Sequence, residues 1–518
     1  MSGAYKNIPA LIVAGTGSGV GKTSIALGLA RALRERGLRV QPFKVGPDYL
    51  DPTWLTAAAG RTCYNLDGWM TDREYVTASV FEKQCRDADI AIIEGVMGLF
   101  DGASPDALTG STAEIALWLD APVLLTVDVG GAARSAAAMV KGFADFEAGV
   151  RLAGVIANQC GSAGHAEIVA RALQHAGLPA LIGWLAKKSL PTLPGRHLGL
   201  HAAHDRANSA ELLTELGRIC AEQMDMAGLL NIAGFDDRRR AEATEATEAT
   251  EGPEATEAHS ASGRDAGDNA STEAAPTFET TAANQRDGVR IAVARDAAFY
   301  FYYADNLSLL VDAGAELIEF SPLGDRELPA GVDAVYIGGG YPEEHAQELA
   351  ANAGMIGDLR RFAAQGGMIY GECGGLMYLS KSLQTVGGED FEMLGLLPFA
   401  SRMLEKRKML GYVETTFVVD TCFGPADTRL RGHEFHYSEL VPDEQAEAGV
   451  ERVFVLRGRR NQAPRPEGFR NPAGNVLASY AHQHFGSHPE AARNFVRALR
   501  ERRHEISSRG PVASEAQL

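Results

Sequence analysis

Four features that would point to other classes of protein are scarce or missing in this sequence. Its 518 residues contain only six cysteines and no CxxC pair, which argues against a disulfide framework and a cysteine-based zinc site. No uncharged apolar run approaches the ~18 residues that a membrane-spanning helix needs. Basic residues are outnumbered, 49 Lys+Arg against 67 Asp+Glu, so neither nucleic acid nor an anionic membrane is an expected partner. The N-terminus, MSGAYKNIPA, lacks a signal-peptide pattern, and we expect a cytoplasmic protein.

The acidic residues are distributed unevenly. Residues 241–285 carry ten acids and one base, which is half of the net charge of −18. This stretch consists mainly of Glu, Ala, Thr, Ser and Gly with an imperfect EAT repeat, a composition that cannot bury enough apolar area to offset the entropy of ordering. We therefore predict a disordered acidic linker over 237–288, favoured over an interaction segment, between domains at 1–236 and 289–506. A flexible tail is expected at 507–518.

Both predicted domains alternate short apolar runs with helical stretches. The first has strand candidates at 10–15, 38–43, 89–95, 122–128 and 152–158, and the second at 289–294, 315–320, 333–340 and 366–373. Strands that are apolar on both faces and separated by helices are typical of parallel sheets covered on both sides. We predict two open α/β domains, each with its ligands at the carboxyl ends of the strands.

A phosphate-binding loop follows the first strand. The segment Gly15–Thr23 reads GTGSGVGKT and leads into a predicted helix over 22–37, which is the strand–loop–helix context of a P-loop. Backbone N–H groups of such a loop converge on phosphate, and the helix dipole favours the anion. Thr16 replaces the usual first glycine, a variant that resembles the loop of dethiobiotin synthetase. The predicted nucleotide-binding residues are Thr16, Gly17, Gly19, Val20, Gly21, Lys22, Thr23 and Ser24.

Polar residues at neighbouring strand ends extend this predicted site. Glu94 ends the third strand candidate and is placed to hold Mg²⁺ together with the Thr23 hydroxyl. Lys44 offers a second cation for a transferring phosphoryl group. Asp48 and Asp51 follow it beside two prolines, where a structural turn explains them as well as a functional role does. Asn158 either reads a base edge or caps a helix, and Asp101 precedes a glycine in a possible turn.

The second domain contains a predicted cysteine nucleophile. Cys373 lies between an apolar strand and a helix carrying LMYLSKSL, within Gly371–Gly375, the arrangement of a nucleophile elbow. The GGG stretch at 338–340 follows another strand and offers oxyanion-hole N–H groups from Gly339 and Gly340, with Gly374 beside the nucleophile. A base is also needed. His482 and His484 share one face if 476–485 is a strand, while His433 and His436 are rivals, and spacing alone leaves this choice open.

Taken together, the motifs of both domains resemble the cobyrinate (or hydrogenobyrinate) a,c-diamide synthase family. They are GTGSGVGKT (15–23), FKVGPDYLDP (43–52), EGVMGLFDG (94–102), LPGRHLGL (193–200), GGGYPE (338–343), GECGGLMYL (371–379), RGHEFHYS (431–438) and SYAHQHF (479–485). The family joins a dethiobiotin-synthetase-like ATPase domain to a class I glutamine amidotransferase domain. This chain departs from its pattern at Gly195, where relatives usually carry Glu, and in its long linker.

The resemblance implies a glutamine-dependent ligase of cobalamin biosynthesis that uses ATP and Mg²⁺. Cys373 would release ammonia from L-glutamine with His482 as its base, without the usual third acid, which makes the nearby HPE at 488–490 a decoy. ATP would convert a corrinoid carboxylate into an acyl phosphate, which ammonia then attacks. The implied substrate and intermediate contacts are Asp48, Tyr49, Leu50, Asp51 and Asp101, with Thr23, Glu94 and Asp48 at the metal.

Three alternatives stay open at this point. Two are related amidations, by a nickel-sirohydrochlorin a,c-diamide synthase or by a cobyric acid synthase. The third is a non-catalytic P-loop ATPase switch, which would have no use for a thiol nucleophile. Neither the oligomeric state nor the presence of cobalt in the corrin follows from the sequence.

Overall fold

The described residues form two compact units. The structure, a computed structural model, covers residues 8–193, 208–236, 288–441, 449–458 and 463–508. The first unit comprises the described parts of 1–46, 51–66 and 77–277, and the second those of 47–50, 67–76 and 278–518. Two short pieces from the N-terminal part of the sequence thus belong to the second unit. Within these ranges no helix is long and apolar enough to cross a membrane.

Seven parallel strands form the sheet of the first unit, in the order β3-β2-β4-β1-β5-β6-β7. The strands are β1 (Ala10–Gly15), β2 (Val40–Val45), β3 (Tyr64–Leu66), β4 (Ile90–Glu94), β5 (Val123–Asp128), β6 (Leu152–Cys160) and β7 (Leu181–Ala186). All five predicted strands are present, with β2 displaced by two residues, whereas β3 and β7 were not predicted. Every residue of β1 is buried, as expected for a central strand covered on both faces.

The helices of the N-terminal part pack their apolar faces against this sheet. They are α1 (Lys22–Glu35), α2 (Asp51–Ala59), α3 (Thr112–Leu119), α4 (Arg134–Phe146), α5 (Ala163–His175), α6 (Ser209–Gln223) and α7 (Met226–Ala233), with a π-helix at Tyr75–Glu82. Buried side chains of α1, β1 and α6 share one apolar core. The predicted stop of α1 is confirmed, because Gly37 adopts the left-handed backbone (φ 79°) just after the helix.

The second unit is built on a ten-stranded mixed sheet in the order β10-β8-β11-β13-β22-β21-β20-β17-β18-β23. Its first five strands are parallel and the others antiparallel. A two-stranded sheet (β12-β9) and a four-stranded sheet (β15-β14-β16-β19) complete the unit. The strands are β8 (Val289–Ala294), β9 (Phe299–Phe301), β10 (Ala315–Phe320), β11 (Ala334–Ile337), β12 (Gly339–Gly340), β13 (Met368–Glu372), β14 (Ser382–Gln384), β15 (Asp390–Glu392), β16 (Ala400–Met403), β17 (Met409–Phe417), β18 (Arg429–His436), β19 (Ser438–Val441), β20 (Glu451–Gly458), β21 (Arg465–Arg470), β22 (Val476–Ser479) and β23 (His482–His484).

Helices cover both faces of the parallel strands. They are α8 (Ala304–Asp312), α9 (Ala346–Ala351), α10 (Ala353–Ala364), α11 (Gly374–Leu379) and α12 (Glu490–Ser508), with 3-10 turns at Pro342–His345 and Phe485–Ser487. Two apolar cores result, one containing α10 and α11 and the other containing α8 and α12. The parallel strands end at the segments that carry the predicted chemistry.

Two details of the predicted second domain are wrong. The helix after Gly374 ends at Leu379, because Ser380 turns the chain and bonds its hydroxyl to the Met377 carbonyl (2.5 Å), so the Ser382–Leu383 pair begins a strand instead. The run at 476–485 is two strands, not one. It leaves the parallel region after Ser479, and His482–His484 then pairs with β18 at the sheet edge.

Candidate active sites

The P-loop has the conformation that the sequence predicts. It connects β1 to the N-terminus of α1, with Gly19 and Gly21 in the left-handed region (φ 79° and 97°). A Cβ added at Gly21 would lie 2.5 Å from Nδ2 of Asn158. That same amide donates a hydrogen bond to the Val20 carbonyl (2.9 Å). Asn158 therefore holds the P-loop through its side-chain amide, a contact that the sequence did not indicate.

Lys22 lies folded over this loop. Its Nζ donates to the Gly17 carbonyl at 2.9 Å. Burial, and next the charge of Lys44, lower the pKa of Lys22. Gly21 precedes α1 without a side-chain cap, and the first turn of the helix has no acidic residue. The N–H groups of the helix start and the ammonium together form an anion-binding cradle.

Lys44 and Glu94 form a buried charged pair beside the loop. The two residues are register partners on β2 and β4, and Nζ of Lys44 lies 3.0 Å from Oε1 of Glu94 and 2.7 Å from Oδ2 of Asp51. The Thr23 hydroxyl donates to Oε1 of Glu94 at 2.5 Å. Burial, and next the charge of Asp51, raise the pKa of Glu94. Thr23, Lys44, Asp51 and Glu94, all predicted site residues, thus lie in contact beside the P-loop.

The remaining predicted acids take part in local turns. Asp48 accepts a hydrogen bond from the backbone N–H of Leu50 (2.8 Å), and Asp101 accepts one from that of Gly98 (2.8 Å). Both patterns are turn geometries that the sequence left as alternatives. Asp101 is exposed and Asp48 is half-buried, so these turns present both carboxylates at the molecular surface.

Tyr49 belongs to the second unit, where its ring is buried. The ring centroid lies 4.8 Å from that of His482, 4.8 Å from that of Tyr303 and 5.2 Å from that of Phe301. Nothing in the local sequence signals this environment. The structure packs this side chain, which was predicted to contact substrate, on the predicted base.

Cys373 occupies the sharp turn between β13 and α11. Its backbone adopts φ 50° and ψ −100°, a conformation that is costly for a non-glycine residue and is found mainly at functional sites. The following glycines leave room for the turn, since a Cβ at Gly375 would lie 2.2 Å from the Ile337 carbonyl oxygen. The Sγ atom is close to the Phe435 carbonyl (3.7 Å). This geometry is that of a nucleophile elbow.

Gly339, Gly340 and His482 lie next to the turn that carries Cys373. A Cβ added at Gly374 would be 3.1 Å from the backbone nitrogen of Gly340, and one added at Gly339 would be 2.4 Å from Cε1 of His482. The turn of the nucleophile, the glycine strand β12 and the histidine therefore adjoin one another. Glycine is required at positions 339 and 374 for these segments to approach one another.

Three histidines surround this centre. His433 is the register partner of His482 across β18 and β23. His436 stacks on Tyr480 with centroids 4.0 Å apart and engages the Ser438 carbonyl through Nδ1 (2.7 Å). Burial, followed by the charges of His433 and His436, lowers the pKa of His482 to about 3. These surroundings favour the neutral form of His482, which is the form that a general base needs.

The surroundings of Cys373 favour the protonated thiol. Burial, and next the charge of Glu343, raise the pKa of Cys373 above its usual range. A base in contact with substrate is therefore needed to generate the nucleophile. His484 faces the same aromatic cluster as His482, with its ring 4.7 Å from that of Tyr303, whereas the contact with Gly339 is made by His482.

One predicted motif falls largely outside the described residues. Of LPGRHLGL (193–200) only Leu193 is described, so the departure at Gly195 lies outside the described residues.

One residue of the site, Glu372, was not predicted from the sequence. It lies inside the GECGG motif and was read only as a flank of Cys373, although its carboxyl group is buried against His482.

Comparison with known proteins assigns both halves of the chain. A family model described as a CobQ/CobB/MinD/ParA nucleotide binding domain matches residues 11–198, and one described as a CobB/CobQ-like glutamine amidotransferase domain matches residues 290–490. The fold and the two sites thus define an ATP-using ligase that forms carbon–nitrogen bonds with glutamine as nitrogen donor.

Relatives that match over nearly their full length share one name, cobyrinate a,c-diamide synthase. The protein from Syntrophotalea carbinolica is 50% identical over 94% of this chain and 98% of its own. Those from Priestia megaterium and Salmonella typhimurium are each 38% identical, over 96% and 95% of this chain and 99% and 98% of their own. The chain belongs to the cobyrinate a,c-diamide synthase family. The predicted family and fold class are confirmed.

Proposed function

We propose that this protein converts the a- and c-carboxylates of cobyrinate into amides, with ATP as the energy source and glutamine as the nitrogen source. The observation that carries the proposal is the pairing of a P-loop site and a cysteine elbow in one chain that is 50% identical to a named synthase. Neither site alone accounts for the reaction, because one activates a carboxylate and the other supplies its nitrogen.

Release of ammonia is assigned to Cys373 and His482. The thiol gives its proton to the imidazole while sulfur attacks the amide carbon of glutamine. The tetrahedral oxyanion is held by backbone N–H groups of Gly339, Gly340 and Gly374. The carbon–nitrogen bond breaks as the imidazole returns the proton to nitrogen, giving ammonia and a glutamyl thioester. Water then hydrolyses the thioester to glutamate and free thiol.

Activation of the acceptor is assigned to the P-loop site. A carboxylate is a poor acyl donor because oxide is a poor leaving group, and transfer of the terminal phosphoryl group of ATP removes that obstacle. In such transfers the protein mainly positions and neutralises charge. Lys22 and Lys44 supply the cations, while the glycines of the loop let backbone N–H groups reach the phosphates. Ammonia then attacks the acyl carbon, and phosphate leaves.

The residues of this site fit Mg²⁺. Glu94 is buried, and within the described ranges its Oε2 has no hydrogen-bond partner, as expected of a carboxylate oxygen kept for a cation. The Thr23 hydroxyl touches the same carboxylate. Thr23 and Glu94 would hold the ion, which when bound neutralises phosphate charge. Asp48 is the third proposed ligand.

Contacts to the acceptor are proposed for the segment around α2. Asp48, Leu50 and Asp51 follow Lys44 in the sequence, and Asp101 lies in the turn after β4. The Lys44–Asp51 contact (2.7 Å) supports this proposal, because Lys44 is one of the cations assigned to the phosphoryl group. For Tyr49 the proposed contact requires movement of a ring that is now buried against His482.

The proposal is tested by product analysis with a panel of tetrapyrroles. The protein is incubated with Mg-ATP and glutamine and with cobyrinic acid, hydrogenobyrinic acid or nickel-sirohydrochlorin, and the products are identified by mass spectrometry. We expect two amide groups on cobyrinic acid. Preferential amidation of either other compound would replace the proposed substrate, and ATP hydrolysis without any amide product would contradict the proposal.

Replacing Gly339 by alanine should impair glutamine hydrolysis specifically. The added methyl group would lie only 2.4 Å from Cε1 of His482 and force the ring to move, and a misplacement of a catalytic group by about 1 Å costs about 10²-fold in rate. Glutaminase kcat/KM and ammonia-supported amidation are measured side by side, and only the first should fall. The matched control is Gly357→Ala, where an added Cβ meets no atom within 4 Å. Wild-type glutaminase activity in Gly339→Ala would contradict the assigned geometry.

A further inference from the structure

A buried carboxyl group lies beside the proposed base. Oε2 of Glu372 is 3.9 Å from Nδ1 of His482, and the two side chains are 2% and 1% exposed. Glu372 is the last residue of β13 and directly precedes Cys373. The nucleophile and this acid are therefore positioned by the same strand end, and the base approaches them from β23.

The carboxyl group is held by three hydrogen bonds. The Tyr336 hydroxyl donates to Oε2 (2.8 Å), the Tyr370 hydroxyl donates to Oε1 (2.8 Å), and the backbone N–H of Gln483 donates to Oε1 (3.0 Å). Gln483 follows His482 in β23, so the hydrogen bond to Glu372 also fixes the backbone next to the base. Burial raises the pKa of Glu372 to about 7, and these three donors oppose that shift because hydrogen bonds to a carboxylate favour its ionised form.

Among the described residues, Glu372 is the only acid that faces Nδ1 of His482. No hydrogen-bond partner for Nδ1 is found among the described residues. The other titratable groups that face the ring are His433, His436 and the phenol of Tyr49. Two of these are imidazoles, which oppose protonation of a third. An imidazolium formed here without an acid would be a buried, unpaired charge, which is strongly unfavourable.

We propose that Glu372 is the positioning residue that orients His482 and balances its charge, in place of the acid two residues after the histidine in complete triads. The proposal rests on the glutaminase function assigned above. When the thiol proton reaches Nε2 of His482, the ring becomes positive beside a negative carboxylate. The proton then leaves with ammonia, and the ring is neutral again. No oxidant or further reactant is involved.

The acid suggested by the HPE sequence pattern does not fit this role. Glu490 opens α12, and its side chain is 55% exposed and paired with Arg493. An exposed carboxylate already paired with arginine cannot orient a buried imidazole. Glu490 is therefore a suitable control residue, since it lies outside the described machinery.

The test compares Glu372→Gln with wild type in the full-length protein. We expect glutaminase kcat/KM to fall about 10²-fold or more. The acidic limb of its pH profile should move to lower pH by about one unit or more, because His482 must be neutral to accept the thiol proton and an imidazolium that loses a nearby negative charge has a lower pKa. Ammonia-supported amidation and the thermal unfolding temperature report whether the variant is folded.

Two further variants separate positioning from structure. Tyr370→Phe removes one hydrogen bond from the same carboxyl group but keeps its charge, so the limb should stay in place. Glu372→Asp keeps the negative charge but moves it farther from His482. It should lower the glutaminase rate while leaving the limb of the pH profile near its wild-type position. This result tests the role of Glu372 even if Glu372→Gln does not fold. Glu490→Gln should behave as wild type.

The outcomes are distinguishable. An unchanged pH profile in Glu372→Gln, or an equal shift in Tyr370→Phe, or a shift in Glu372→Asp as large as in the glutamine variant, would overturn the role of Glu372. Failure of the wild-type protein to hydrolyse glutamine would instead refute the proposed function itself.

Discussion

Replacing Cys373 by alanine is expected to abolish amidation with glutamine and to leave amidation with ammonia intact. Loss of a covalent nucleophile typically costs about 10⁴-fold in rate or more. The substitution keeps the β13–α11 turn small and removes a thiol that is buried in the unliganded protein. Parallel progress curves with glutamine and with ammonium salts, both with Mg-ATP and cobyrinic acid, measure the two activities.

The control for this variant is Cys422→Ala. Cys422 is a free cysteine of the same unit, packed against an apolar core and separate from the elbow in sequence. It should retain both activities. Residual glutamine-dependent synthesis in Cys373→Ala at a level close to wild type would place the nucleophile elsewhere. Loss of the ammonia-supported reaction would show that the substitution damages more than ammonia release.

Replacing Lys22 by methionine is expected to abolish amidation and to leave glutamine hydrolysis intact. Amidation should fall about 10³-fold or more with either nitrogen source, because a cation that neutralises transferring phosphate is lost. The buried position of Lys22 suits an unbranched apolar side chain, and burial, followed by the charge of Lys44, lowers the pKa of Lys22. Basal glutaminase activity should persist. Phosphate release and glutamate release are followed in the same samples.

The matched control is Lys141→Met, the same substitution at an exposed position of α4 where the ammonium pairs with Asp145. An isolated surface pair of this kind contributes about 0–1 kcal/mol, so that variant should resemble wild type. Normal ammonia-supported synthesis in Lys22→Met would contradict the assignment of the P-loop as the activating site.

Local sequence signals predicted the loops that bear the chemistry. GTGSGVGKT specifies a phosphate loop because only glycine tolerates the backbone of Gly21 next to Asn158. GECGG likewise specifies a sharp turn around Cys373, since the neighbouring backbone leaves no room for side chains. Lys44 and Glu94 were both predicted to open onto the phosphate site because parallel strands end at one edge of a sheet.

Long-range packing could not be predicted in the same way. The apolar run at 476–485 contains no glycine or proline before His482, so nothing local signals that the chain leaves β22 after Ser479 and pairs with β18. The choice among the histidines depends on that departure, because it brings His482 against Gly339. The contacts of Tyr49 with His482 and of Glu372 with His482 likewise depend on tertiary structure and have no signal in the spacing of residues.

The central claim is that one chain moves glutamine nitrogen onto a carboxylate activated by ATP. The most direct measurement supplies cobyrinic acid and Mg-ATP with glutamine labelled with ¹⁵N in its side-chain amide, and reads the nitrogen isotope of the product by mass spectrometry. The account predicts a diamide in which both new nitrogens are ¹⁵N, formed only when ATP is present. A product without the label, or a labelled product formed without ATP, would contradict it.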